Sequence, residues 1–138
     1  ALRDALAQGL IDTIGSDHAP HLLSEKDGTY CKAPSGLPSI QQTLPVLLTI
    51  AAQEEIPLTR IASVFSENAA ALYGLNRGKI AARYEADIVV FNYSKEFQVK
   101  TEDQLSKCGW TPYEGETLKG VIEAVYINGQ EKTISPGL

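Results

Sequence analysis

Both histidines of the chain fall in the run IDTIGSDHAPH, residues 11–21, beside two aspartates, Asp12 and Asp17. Carboxylates and imidazoles are the side chains that hold metal ions and move protons near neutral pH, so this run is the first candidate for chemistry. Residues 11–17 read as a strand. Alternation puts Ile11, Thr13, Gly15 and Asp17 on one face and Asp12, Ile14, Ser16 and His18 on the other. Pro20 ends it, because proline cannot donate to a central ladder. A carboxylate at the C-terminal end of a buried strand, followed by a long loop, is where α/β barrels keep their chemistry. The small Thr13 and Gly15 before Asp17 suit a crowded barrel interior. His18 points away from Asp17, so the two are not expected to ligate one ion together. His21, beyond the proline, can turn back over the same mouth. Two other readings stay open. Asp17 can serve only as a cap or an Asx-turn. Alternatively, Asp17, His18 and His21 form a self-contained metal site, although Cys31, the nearest fourth ligand, lies across a loop.

The elements around this run set its context. Residues 2–9 place Leu2, Ala5 and Leu6 on one helical face, and Gly9 stops the helix. Residues 21–37 are polar and rich in Gly, Pro and Ser, which predicts a long loop of the kind that carries function. A helix is expected from Pro38, with Leu37, Ile40, Leu44, Leu47, Leu48 and Ala51 as its buried stripe and Pro45 kinking or dividing it. Thr59 reads as the N-cap of a helix carrying Ile61, Val64 and Phe65. Ser66 reads as the cap of a further turn set that closes at Gly74. After Asn76 the period becomes strand-like, with candidates at 79–81, 87–92 and 121–128. Asn128-Gly129 signals a hairpin that returns through residues 130–133. The boundary falls near residues 75–77, giving a β/α unit at 1–76 and a small β region at 77–138. Trp110 and Tyr113, in the turn-rich stretch between the last strands, read as packing, and Lys32 as a solvated lysine.

Composition excludes several classes of function. The 138 residues are 43% hydrophobic and 21% charged, with a net charge of −5, which argues against nucleic acid or an anionic membrane as partner. No apolar run approaches the ~20 residues that span a bilayer. Cys31 and Cys108 are far apart and form no CxxC-type pair, so two free thiols in a reducing, cytoplasmic setting are expected.

DTIGSDHAPH, then KAPSGLPSIQQTLPVLL, then GWTPYEG and LKG resemble dihydroorotase, of the cyclic amidohydrolase superfamily. SDHAPH followed by an AP-x-G loop carries most of this resemblance. SENAAALYGL and GKIAARYEADIVVFN resemble the superfamily's common C-terminal passage, with Ala69 where many relatives have proline. The resemblance covers essentially the whole chain. It implies the C-terminal part of a metal-dependent (β/α)8 barrel, namely its last strand and helices, plus part of a small β-sandwich built from both chain ends. It also implies an enzyme that interconverts dihydroorotate and N-carbamoyl-L-aspartate in pyrimidine synthesis.

The resemblance assigns roles residue by residue. Asp17 matches the aspartate that ligates the metal and carries the proton from the attacking water to the leaving nitrogen. His21 matches the histidine that binds the substrate carboxylate. Ala33, Pro34, Ser35 and Gly36 match the loop whose backbone grips the ring, with Gly36 allowing close approach. His18 has a structural role. The family holds one or two zinc ions with a His-x-His pair, a carboxylated lysine and two further histidines, and none of these is in this chain. Most ligands are therefore expected outside it, in a missing N-terminal part that is truncated, proteolysed or supplied as another chain. By itself the chain is expected to be incomplete and inactive. A small-molecule substrate and a homo-oligomer are the partners implied. Rival readings are another cyclic amidohydrolase, of allantoinase or dihydropyrimidinase type, and a non-catalytic dihydroorotase-like scaffold chain.

Overall fold

The computed structural model of the chain describes residues 1–133; residues 134–138, the end of the expected β region, lie outside it. Five helices and three strands run in the order α1 (Leu2–Ala7), α2 (Leu23–Lys26), α3 (Thr43–Gln53), α4 (Leu58–Ala62), α5 (Asn68–Leu72), β1 (Ile88–Gln98), β2 (Thr117–Ile127) and β3 (Gln130–Lys132). The protein is thus mixed α and β, helices first and sheet second.

Proline placement shapes the middle of the chain. Pro45 falls in the first turn of α3, where an amide N–H has no helical acceptor to lose. The run from Pro38 is accordingly divided, with a 3₁₀ turn over Ile40–Gln42 leading into the α-helix. Leu47, Leu48 and Ala51 are buried as expected, but Leu37 and Ile40 are exposed: Leu37 precedes the helical region, and the 3₁₀ turn sets Ile40 off the stripe. Pro57, not Thr59, caps α4, and Thr59 lies inside it. No new cap occurs at Ser66: a π-helical turn, Ser63–Glu67, joins α4 to α5 without a break.

The core gathers Leu6, Leu47, Ala51, Ile56, Ile61 and Val64, with Ile11, Ile14 and Ile50 packed against it. Leu2, expected beside Leu6, is exposed. Arg60 ties this core to the chain's start. Its Nε donates to the Leu6 carbonyl (3.0 Å), near the end of α1, and its Nη2 to the Ile11 carbonyl beyond it.

The sheet is antiparallel in the order β1-β2-β3, with Ile88 opposite Tyr126, Phe91 opposite Ile122 and Phe97 opposite Leu118. Asn128 and Gly129 both take positive φ (52° and 74°), the geometry of a two-residue hairpin turn, and join β2 to β3 where expected. Residues 79–81 form no strand, while β1 and β2 each run longer than their apolar segments. Helix α3 lies directly on β2. A Cβ at Gly120 would stand 2.3 Å from Leu48 Cδ1, and the Thr49 hydroxyl accepts the Lys119 N–H (2.8 Å) while donating to the Pro45 carbonyl (2.7 Å).

Residues 11–17 correct the expectation of a strand. Among the described residues they pair in no ladder, and only His18 makes an isolated parallel bridge, to Leu37. A strand exists through its hydrogen-bonded neighbours, and none of β1–β3 reaches this segment. It is fixed instead from the helical side: Ile14 N–H donates to the Val64 carbonyl (3.0 Å) and Asn68 Nδ2 to the Asp12 carbonyl (2.8 Å).

Candidate active-site segment

Asp17 ends this segment with φ +45°, the left-handed region that aspartate tolerates better than most side chains. The residue is exposed, and among the described residues no hydrogen bond reaches its carboxylate. The expected Asx-turn or cap is therefore not made by this side chain. The left-handed turn parts Asp17 from its neighbour. His18 Nδ1 accepts the Ser39 N–H (3.1 Å) and the Ile40 N–H (3.3 Å), at the start of the 3₁₀ turn before α3. An Nδ1 that accepts must present its lone pair, so the ring proton sits on Nε2. The Ser39 hydroxyl, nearly buried, completes the joint by donating to the Ser16 carbonyl (2.7 Å).

The loop 33–36 is brought against residues 18–19. Ala19 N–H donates to the Leu37 carbonyl (3.0 Å), and Gly36, at φ +95°, lies so near that a Cβ there would be 2.4 Å from the Ala19 Cβ. The close approach that Gly36 permits is thus to Ala19, within the fold. Lys26, at the end of a short helix inside the expected loop, donates to the Pro34 and Gly36 carbonyls (2.6 and 2.9 Å). Ala33 is anchored through its N–H to the Thr29 carbonyl (3.0 Å).

His21 sits just beyond this contact. Its N–H donates to the Ala19 carbonyl (2.9 Å), and its Nδ1 lies 3.9 Å from Glu25 Oε2, a carboxylate that also accepts the Leu22 N–H (2.7 Å). Trp110 Nε1 donates to the His21 carbonyl (2.8 Å), so Trp110 is more than packing. The structure therefore brings Asp17, His21 and the 33–36 backbone to one small region, with Asp17 and His21 flanking the Ala19–Gly36 contact.

Cys31 is exposed and Cys108 buried, both as free thiols. Among the described residues no three histidine, cysteine, aspartate or glutamate side chains converge to hold an ion. Asp17, His18 and His21 do not form a site of their own, because the left-handed turn and the Ser39 joint send His18 elsewhere. Asp17 fits the part of a single ligand, exposed and with no competing partner, but catalytic zinc sites need about three protein ligands.

The model of the amidohydrolase family matches residues 1–132. The chain belongs to the amidohydrolase family. Among its relatives, the dihydroorotase of Halobacterium salinarum is 40% identical over 128 residues, which is 92% of this chain and 30% of that protein. The dihydroorotase of Methanosarcina mazei is 36% identical, over 99% of this chain and 29% of its own length. The solved D-hydantoinase (dihydropyrimidinase) from Thermus sp. superposes with a TM-score of 0.89 at 30% identity, over 94% of this chain and 30% of that one. The amidohydrolase segment described here thus spans about 30% of the length of the relatives it matches.

Lys26, Ser39 and Gln41 are the residues of this region that the sequence did not single out. Lys26 sits at the end of a helix too short to show periodicity, and Ser39 in a Pro-Ser step that reads equally as a helix start.

Proposed function

We propose that this chain is the C-terminal portion of a dihydroorotase, hydrolysing dihydroorotate to N-carbamoyl-L-aspartate and reversing that reaction. In this reading residues 1–76 complete a (β/α)8 barrel and residues 77–138 belong to a composite β-sandwich. The remaining length supplies most ligands for one or two zinc ions. The observation that carries it is the grouping of an exposed, unencumbered Asp17 carboxylate with His21 and the 33–36 backbone about the Ala19–Gly36 contact. The dihydroorotase relatives support the choice of substrate. The same reading places the protein in the cytoplasm as a homo-oligomer; no described helix is long and apolar enough to cross a membrane.

The segment's own residues have distinct tasks. Asp17 would serve as the one metal ligand this segment gives, and it holds a proton and delivers it to the leaving ring nitrogen. His21 binds the substrate carboxylate, its ring steadied by Glu25 on one side and its backbone by Trp110. The 33–36 backbone lies against the ring and sets its distance from Asp17. Zinc, when bound, would polarise the scissile carbonyl.

A second reading, a hydantoinase or dihydropyrimidinase activity, draws on the solved structures that superpose on this chain. Hydantoin and dihydropyrimidine rings lack the orotate carboxylate. The His21→Ala variant of the full-length protein separates the two. KM for dihydroorotate should rise with kcat less affected, and turnover of dihydrouracil should be little changed. Equal losses on both rings would contradict the assignment of His21.

A further inference from the structure

The 33–36 loop is held from behind by a cation. Lys26, the last residue of α2, is half-buried and sends its Nζ to two carbonyls of that loop, Pro34 at 2.6 Å and Gly36 at 2.9 Å. An ammonium offers three donors and no acceptor, so most of its capacity is committed here. The ion pairs found among the described residues do not include Lys26. Its neighbour Glu25 is turned the other way, to the Leu22 N–H and the His21 ring. The lysine thus has backbone carbonyls where a surface lysine would have a carboxylate or water.

That choice of partner fixes the polarity of the loop. In a trans peptide the C=O and the following N–H point in opposite directions, and the described residues have no cis bonds. Drawing the Pro34 carbonyl to Lys26 turns the Ser35 N–H to the far side. Drawing in the Gly36 carbonyl turns the Leu37 N–H towards the Asp17–Ala19 segment, where Leu37 makes its parallel bridge with His18. Ser35 is an exposed residue whose amide has no backbone acceptor among the described residues.

We propose that Lys26 is a positioning residue for substrate: it draws the Pro34 and Gly36 carbonyls to one side of the loop and leaves the Ser35 N–H as a donor for a ring oxygen on the other. This deepens the dihydroorotase reading and rests on it for the identity of the ring. Lys26 touches no reacting atom, so its removal changes how well the ring is held rather than how fast the held ring reacts.

The test uses the full-length, zinc-loaded protein and the variants Lys26→Met and Lys26→Arg. Lys26→Met keeps the chain length and loses both charge-assisted hydrogen bonds. It should raise KM for dihydroorotate roughly ten- to hundredfold, with kcat nearly unchanged and zinc content unaltered. Deuterium exchange of the 33–37 amides should speed up in that variant and not in the rest of the chain. Lys26→Arg retains the donors and should recover most of the KM and of the exchange protection. An unchanged KM, unchanged exchange at 33–37, or parallel loss of kcat, zinc and KM would overturn the proposal. Should Lys26→Met fail to fold, Lys26→Leu, which likewise has no donor, carries the same comparison with the same expectations. If wild-type protein turns over no dihydroorotate, the substrate reading falls, and the exchange experiment alone still decides whether Lys26 orders the loop.

Discussion

The Trp110 indole N–H donates to the His21 carbonyl at 2.8 Å, joining residues 89 apart in sequence. The stretch that carries Trp110 is pinned a second time. Gln41 Nε2 donates to the Asp103 carbonyl (3.0 Å) and its Oε1 accepts the Leu105 N–H (2.9 Å). The turn-rich excursion between β1 and β2 therefore braces the segment holding His21 and the 3₁₀ turn that anchors His18. Trp110→Phe in the full-length protein keeps most of the ring and removes the donor. It should lower stability by about 1 kcal/mol, the usual net worth of such a bond, seen as a lower denaturant midpoint with an unchanged slope. KM for dihydroorotate should rise more than KM for dihydrouracil, since the displaced group is His21. A variant with both KM values and the midpoint unchanged would reduce the contact to coincidence.

Gly36 and Ala19 make a sharper pair. At φ +95° any side chain at position 36 is strained, and its Cβ would also meet the Ala19 Cβ at 2.4 Å. Gly36→Ala should therefore cost more than the roughly 1–3 kcal/mol of backbone strain alone. Ala19→Gly removes the colliding methyl, so adding it to Gly36→Ala should return the collision part and leave the strain part. A double-mutant cycle on unfolding free energies measures the difference. Strict additivity would mean that the loop relaxes away from Ala19.

His18 should behave as a joint. Its Nδ1 accepts the N–H groups of Ser39 and Ile40, and Asn places an amide oxygen at nearly the same distance from the backbone. His18→Asn should keep stability close to wild type, whereas His18→Ala, which strands two amides, should lose about 1–3 kcal/mol. Chemical denaturation of the two variants decides it, and equal losses would assign His18 to packing alone.

How much of this was legible in the sequence depends on the range of the interactions. The hairpin at Asn128-Gly129, the end of the helical region at Gly74 and the buried face of Leu47, Leu48 and Ala51 follow from local rules, and the structure has them. Alternation predicts His18 turned away from Asp17; in the structure His18 Nδ1 is held by the Ser39 and Ile40 N–H groups, and the segment that carries both residues is no strand. The strand at 11–17 was misread because alternation describes a residue's faces, while a strand also requires neighbours, which these residues do not find among β1–β3. The 3₁₀ turn, the start of α4 after Pro57 and the π-helical passage through Ser63–Glu67 were not read from the sequence, since no short window shows the core that Val64 joins. In the candidate site Asp17 and His21 stood out by type and spacing, and the 33–36 loop only by its resemblance to the dihydroorotase loop. Lys26 and the Trp110 bond did not, because a lysine or tryptophan gains its meaning from a distant carbonyl.

Asp17→Asn tests the chemistry with the least disturbance. Asparagine accepts the left-handed backbone that Asp17 adopts at φ +45° and keeps the side chain's shape. The carboxylate has no hydrogen bond among the described residues, so the exchange should leave the melting temperature within about 2 °C of wild type, as for a surface substitution of small free-energy effect. Turnover by the full-length, metal-replete protein should fall by about 10²- to 10⁴-fold, the range associated with loss of a proton-transfer group. Near-normal turnover would end the assignment of Asp17.

The last prediction concerns an apolar groove of about 790 Å³ between α3 and the sheet, lined by Ile40, Leu44, Phe65, Val89, Leu105 and Ile122 among others. Ile40 and Leu105 are 61% and 59% exposed, and Val89 is 43% exposed. An apolar trough of this kind on a short chain is a place where water is held at a cost, roughly 25 cal/mol for each Å² that a partner could cover. Strand β1 adds an edge, since among the described residues it pairs only with β2 and leaves its other backbone groups open. In the proposed function both features are covered by the remaining length of the protein. The 138-residue chain expressed alone should therefore self-associate or bind a hydrophobic dye strongly, hold zinc weakly and show no dihydroorotate turnover. Co-expression with the remaining N-terminal part should suppress dye binding and restore zinc and activity together. Sedimentation, metal analysis and a turnover assay on the soluble isolated chain make the comparison; a monodisperse monomer with stoichiometric zinc and measurable turnover would show the segment to be sufficient by itself.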